Sequence, residues 1–285
     1  MAIPVDSALA ESASHQEQVE LDLLLEGLYQ LYGDDFRGYE RAPLRKKLLA
    51  LAEGQGIKTL SALLAQVMYE RSVGHALIRS LLDRPSGLFE EPDSFKALRE
   101  IAGPLLRSYA APKVWIAEVA SVEEVFSIAI FLDEIGLSDK ALIYATTPNE
   151  ALLTEVREGT FSPDKLPAYA ESYRRSGGKA DLSSYCIETG GGVAFAPHLS
   201  RNIIWSQFSL DTDTTFNEFQ LIVCRTSLMA FAAPLRRRAL TLFSESLSQF
   251  GLLCVAGAPE LHAAPFSINY QCIAVEPGLY RRTAW

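Results

Sequence analysis

The sequence is short of the residues that build metal centres, disulfide frameworks and membrane spans. Its four cysteines, Cys186, Cys224, Cys254 and Cys272, lie far apart. Mostly flanked by apolar residues, with no CxxC and no zinc spacing, they read as reduced core residues. His15, His75, His198 and His262 are as scattered, so no metal site is expected. No apolar run approaches the ~18 residues of a membrane span, and membrane insertion is not expected. Met1 to Glu20 lack the basic and then apolar pattern of a secretory signal, which points to a cytoplasmic protein. Cations are also in deficit: 26 Lys and Arg stand against 35 Asp and Glu, a net charge of -9. That balance argues against general nucleic-acid binding and leaves room for a local basic patch. Repeats are absent, and low complexity is confined to the Ala-, Ser-, Glu- and Gln-rich residues 1–18, read as a flexible leader.

What is present is a chain that can bury a large core, with 48% hydrophobic and 21% charged residues in 285. Leu21, Leu24, Leu25, Leu28 and Leu31 share one helical face. A second helix follows at Pro43–Ala52, with Pro43 suited to a first turn, and further helical patterns cover Leu60–Tyr69 and Val73–Asp83. Residues 19–92 are thus expected to form a helical N-terminal domain and linker. From residue 93 the pattern alternates. Strand-like runs at Val114–Ala117, Lys140–Ala145, Asn202–Phe208, Phe219–Cys224, Gly251–Ala256 and Gln271–Glu276 enclose helical segments, as in a sheet with crossover helices. Residues 160–200 interrupt the alternation. Gly177-Gly178 and Gly190-Gly191-Gly192 there suggest a small hairpin excursion, a β-subdomain within the α/β domain 93–285.

Glycine is missing at the position where it matters most. Val114–Ala117 runs as a strand into the segment Glu118-Val119-Ala120-Ser121-Val122 and then an amphipathic helix, Glu123–Asp133. Such a turn is where an α/β sheet usually binds a cofactor, and glycines let the backbone approach the ligand. Glu123 and Glu124 are best read as first-turn carboxylates favouring the helix dipole. Arg236, Arg237 and Arg238 read as a solvated helix face.

Five short motifs in order resemble the CheR-type chemotaxis receptor glutamate methyltransferases. They are Asp35-Phe36-x-x-Tyr39-x-Arg41-x-x-Leu44-Arg45-Lys46-Lys47, Leu88-Phe89-Glu90-Glu91-Pro92-Asp93-Ser94-Phe95 and Glu123-Glu124-Val125-Phe126-Ser127-Ile128-Ala129. Val223-Cys224-Arg225-x-x-Leu228-x-x-Phe231 and Pro277-Gly278-Leu279-Tyr280-Arg281-Arg282 complete the set. The likeness runs from about Leu21 to Arg282. It implies a seven-stranded, Rossmann-like S-adenosylmethionine-methyltransferase sheet with a small β-subdomain, preceded by an all-α domain. It also implies that the basic helix carrying Arg41, Arg45, Lys46 and Lys47 faces an acidic helix of a receptor or signalling protein.

Residue by residue, the likeness implies a degenerate cofactor pocket. The family's glycine-rich loop falls on Glu118 to Glu124, with Glu118 and Val122 in place of two glycines. The acidic ribose ligand falls on Thr147, the linker arginine on Glu90, and an Asn and a Tyr on Thr226 and Ala230. Losing two hydrogen bonds to charged groups costs ~3–6 kcal/mol, roughly a 100- to 10,000-fold weakening. No cofactor is therefore expected, no residue is assigned as catalytic, and the expected role is a pseudoenzyme that binds a protein in chemotaxis-like signal transduction. The alternatives are an active S-adenosylmethionine-dependent protein-glutamate O-methyltransferase with an altered loop, or a pocket repurposed for another small ligand.

Overall fold

The computed structural model describes residues 5–82, 87–225, 227–275 and 278–283, with side chains from residue 15 onward. Backbone contacts divide the chain into a helical unit, residues 1–83 with 230–232, and an α/β unit formed by the rest.

The helical unit contains α1 (Val5–Tyr32), α2 (Arg41–Gly54), α3 (Leu60–Tyr69) and α4 (Arg71–Leu82). Helix α1 begins inside the segment expected to be a frayed leader. Leu21, Leu24, Leu25 and Leu28 are fully buried, as their spacing predicts, and Leu44, Leu48, Leu60 and Leu63 close the core around them. Leu31, grouped with that face in the sequence, is half-exposed. The returning segment 230–232 adds Phe231, whose ring meets Tyr39 edge-on at 5.2 Å.

The α/β unit opens with α5 (Pro92–Arg107) and β1 (Lys113–Ala117), followed by α6 (Val122–Glu134), β2 (Leu142–Thr147) and α7 (Glu150–Glu158). An inserted module follows: β3 (Thr160–Phe161), α8 (Leu166–Arg175), β4 (Cys186–Thr189) and β5 (Gly192–Phe195). The main chain resumes with β6 (Ile203–Gln207), β7 (Phe219–Cys224), α9 (Ala233–Ser246), β8 (Leu247–Val255), β9 (Tyr270–Ala274) and β10 (Leu279–Arg282). Seven strands form one sheet in the order β6-β2-β1-β7-β8-β10-β9. Strand β10 runs antiparallel to both neighbours, and the other pairs are parallel. The chain order reverses between β1 and β7, which makes the carboxyl ends of those strands the switch point where open α/β sheets bind ligands.

Three features of this unit differ from the sequence reading. Helix α6 buries all sides, with Val125, Phe126, Ile128, Ala129, Ile130, Phe131 and Leu132 each at most 3% exposed. The inserted module covers its outer face: Phe126 stacks on Phe195 with ring centroids 4.3 Å apart. That module is also more than a hairpin, because α8 lies between β3 and β4. Its β4–β5 turn does follow the glycines, with Thr189 paired to Gly192 across Gly190-Gly191. All four cysteines are free, and Cys272 is exposed rather than a core residue. Burial raises the Cys254 thiol to about 11.

Candidate functional site

Strand β1 is buried from Val114 to Ala117, and Trp115 fixes its position. The Trp115 ring meets Phe208, Phe216, Phe219 and Phe243 at centroid distances of 5.2–5.4 Å. Its indole N–H donates to Thr146 Oγ1 at 2.8 Å. Just past this anchor, Glu118 adopts φ +56°. That is the left-handed region, which favours glycine and costs another residue roughly 1–2 kcal/mol. The turn that a glycine would make is therefore kept by a glutamate.

The loop beyond is pinned by its own groups. Val119 N–H donates to the Thr146 carbonyl at 2.9 Å. Ala120 N–H donates to the Glu124 carboxylate at 3.2 Å, and Glu124 N–H donates to Ser121 Oγ at 3.3 Å. This is close to a capping box, with Ser121 at the N-cap and Glu124 at the third helical position. Across the switch point, Ser227 Oγ donates to the Glu118 carbonyl at 3.0 Å.

Glu123, expected only to favour the helix dipole, is buried and held by the inserted module. Tyr169 donates its hydroxyl to the Glu123 carboxylate, and Lys165 Nζ lies 3.1 Å from it. At the other end of α6, Glu134 pairs with Arg99 of α5 and accepts from Tyr173 at 2.7 Å. Burial, with the facing glutamate second, pushes both tyrosine hydroxyls well above their usual pKa. Tyr169 and Tyr173 are four residues apart on one face of α8. That spacing was the available signal for this missed clamp.

Of the residues expected to line one pocket, Glu118 and Thr147 follow paired positions at the ends of β1 and β2. Glu118 is almost buried at the end of β1, and Val122 packs half-buried against the core. Thr147 is buried at the end of β2. Glu90 turns its carboxylate back to Gly87 N–H at 3.3 Å, and only its carbonyl meets the end of β7, accepting from Arg225 at 3.2 Å. Arg225 also pairs with Glu91 and lies over the Phe95 ring at 5.1 Å. Ala230 belongs to the helical unit, where its carbonyl accepts from Glu40 N–H at 2.8 Å. Thr226 lies outside the described residues. Arg225, unassigned in the sequence, is thus the cation that organises the end of β7.

The basic residues of α2 do not form one free face. Arg41 lies 3.2 Å from Asp22, and Arg45 pairs with Glu17, both acids on α1. Lys47 Nζ approaches the Leu81 carbonyl at the end of α4 at 3.5 Å, a favourable place for a cation. Lys46 is exposed. Arg236 is not solvated as expected: it pairs with Glu260 at 2.7 Å, each about one-seventh exposed.

A family model described as "CheR methyltransferase, SAM binding domain" matches residues 84–271, about two-thirds of the chain. The chain belongs to the CheR methyltransferase family. A "Putative methyltransferase Cher3" from Pseudomonas putida is 33% identical over 95% of this chain and 100% of its own. "Chemotaxis protein methyltransferase 1" from Pseudomonas aeruginosa is 22% identical over 83% of this chain and 87% of its own. Among solved structures, the N-methyltransferase NodS from Bradyrhizobium japonicum aligns over 70% of this chain and 90% of its own. Its TM-score is 0.35, at 11% identity.

This family assignment corrects one expectation. The matched domain of a CheR protein is an S-adenosylmethionine-binding domain, and the match spans the Glu118 turn and both strands of the switch point. The expectation of no cofactor is overturned. It weighed side-chain losses and ignored the backbone, and the backbone fits: Glu118 holds the glycine-type turn at the carboxyl end of β1. Among the described residues no metal-binding cluster occurs, and no helix is long and apolar enough to cross a membrane.

Proposed function

We propose that this CheR-family protein binds S-adenosylmethionine through an altered loop and methylates a carboxylate on a protein partner in a chemotaxis-like signalling system. One observation carries the reading: the left-handed turn at Glu118 sits at the switch point of the matched S-adenosylmethionine domain. Bound there, the cofactor supplies an electrophilic methyl group on a sulfonium. The turn Glu118–Ser121 would lie against the methionine portion, and Thr147, at the end of the neighbouring strand, would be the residue nearest the ribose. The Glu118 carboxylate suits the positive amino and sulfonium groups of the ligand, where a glycine would be indifferent to them. Helix α2, with Arg41, Arg45 and Lys46, meets the acidic segment of the partner.

A second reading keeps the cofactor but not the transfer. The N–H groups of Ala120 and Glu124 are already taken by Glu124 and Ser121, so a ligand carboxylate finds fewer donors. The protein then reads S-adenosylmethionine as a regulatory ligand and acts by binding its partner.

Calorimetry with S-adenosylmethionine and S-adenosylhomocysteine tests the shared claim, with micromolar binding expected. Absence of heat in both the wild type and the Glu118→Gly variant would sink both readings. Radiolabelled methyl transfer to an acidic receptor helix, present or absent, then chooses between them.

A further inference from the structure

Helix α1 of the helical unit is held in two different ways along its length. From Leu21 to Leu28 it is anchored by four fully buried leucines. Between residues 15 and 20 no side chain is buried, and Val19 is 44% exposed. There Glu17 and Glu20 reach the neighbouring helices through their carboxylates. Glu17 pairs with Arg45, and Glu20 accepts from Leu60 N–H at the start of α3 at 3.2 Å. One turn further on, Asp22 pairs with Arg41. Arg41 and Arg45 stand one turn apart on α2, so α1 presents its acids to them as an acidic partner helix would.

These contacts are exchangeable. The side chains of Glu17, Asp22, Arg41 and Arg45 are 38–52% exposed, and ion pairs so exposed contribute little and are screened by salt. The contact also borders an open groove of about 670 Å³ lined by Glu17, Glu20, Arg41, Arg45, Leu49 and Lys58. Lys58 adds positive charge beside the pairs, and Leu49 gives them an apolar edge.

We propose that the carboxylates of Glu17 and Asp22 on α1 occupy the α2 cations in cis, and that a carboxylate-bearing helix of a partner displaces them. The inference rests on the reading that α2 meets an acidic partner, and it adds a competitor built into the same chain. Partner affinity is then set by the difference between two acidic helices, not by α2 alone.

The test measures anisotropy of a labelled helical peptide carrying Glu at i and i+4, titrated with the full chain. Glu17→Gln/Asp22→Asn should bind it about 3- to 10-fold more tightly than wild type, as expected for removal of two surface pairs. A control, Glu188→Gln/Glu245→Gln, removes the same charge from exposed sites elsewhere and should leave affinity within about twofold. Arg41→Ala/Arg45→Ala should weaken binding at least tenfold. Hydrogen exchange at residues 15–20 should rise when the peptide binds wild type. Equal affinity of the α1 variant and wild type overturns the proposal, as does unchanged exchange, or binding that ignores Arg41 and Arg45. Failure of S-adenosylmethionine to bind leaves these readouts intact, so the two proposals fail separately.

Discussion

In the α/β unit Glu134 and Arg99 are 12% and 13% exposed, and Tyr173 adds a hydrogen bond to the same carboxylate. In the helical unit Glu17 and Arg45 form a pair of the same chemistry at 38% and 42% exposure, with no buried side chain from residue 15 to 20 beside it. The first pair cannot separate without stranding a charge in a low-dielectric site. The second can trade its partner for water or for another carboxylate at little cost. One ion pair fixes a helix against its neighbour. The other leaves a helix face available for exchange.

This contrast can be broken or sharpened by substitution. Glu134→Ala should cost about 3–5 kcal/mol in urea unfolding, because Arg99 is left unpaired; a loss below about 1 kcal/mol would erase the distinction between the units. Tyr169→Phe should cost about 1–2 kcal/mol by removing the hydroxyl that meets buried Glu123. Glu118→Gly should raise stability by up to about 1 kcal/mol by relieving the left-handed turn, whereas Glu118→Val should lower it by about 1–3 kcal/mol. Equal thermal midpoints for those two variants would mean the turn is not held as described.

The two units should also part company in pH and salt. Tyr169 and Tyr173 have raised folded pKa values, so the stability they contribute is complete below the ordinary tyrosine value of about 10 and declines as pH rises beyond it. In the helical unit Asp35, held below its usual range by the Arg37 hydrogen bond, contributes stability at neutral pH that is lost as acid protonates it. Fluorescence-monitored unfolding from pH 3 to 11 would register both limbs. The smallest effect is expected for Glu17→Ala, less than about 1 kcal/mol and weaker still at high salt.

Much of the architecture could be read without coordinates, for identifiable reasons. The stripe Leu21, Leu24, Leu25, Leu28 predicts a helical face, and four successive leucine positions at 3.6-residue spacing leave little choice. Phe219–Cys224 reads as a buried strand because six apolar or neutral residues in a row suit a central parallel strand. Helix α8 was hidden because Pro163, Pro167 and the Gly177-Gly178 pair frame it with turn residues. The partners of Glu123 and Glu134 on α6 were hidden because they lie 35 to 46 residues away, beyond any local pattern.

The sequence by itself determined the helical and strand periods, the order of the elements and the CheR motifs, since these depend on residue type and spacing along one chain. Tertiary structure decided what the charges do. Glu118 keeps a glycine turn because flanking strands hold its backbone, and Glu90 faces away because Arg225 takes its carbonyl. Arg41 and Arg45 meet α1 because folding brings two helices of opposite charge together. A charge has no assigned partner until the chain closes around it, and its energy depends on burial and distance that no single stretch of sequence contains.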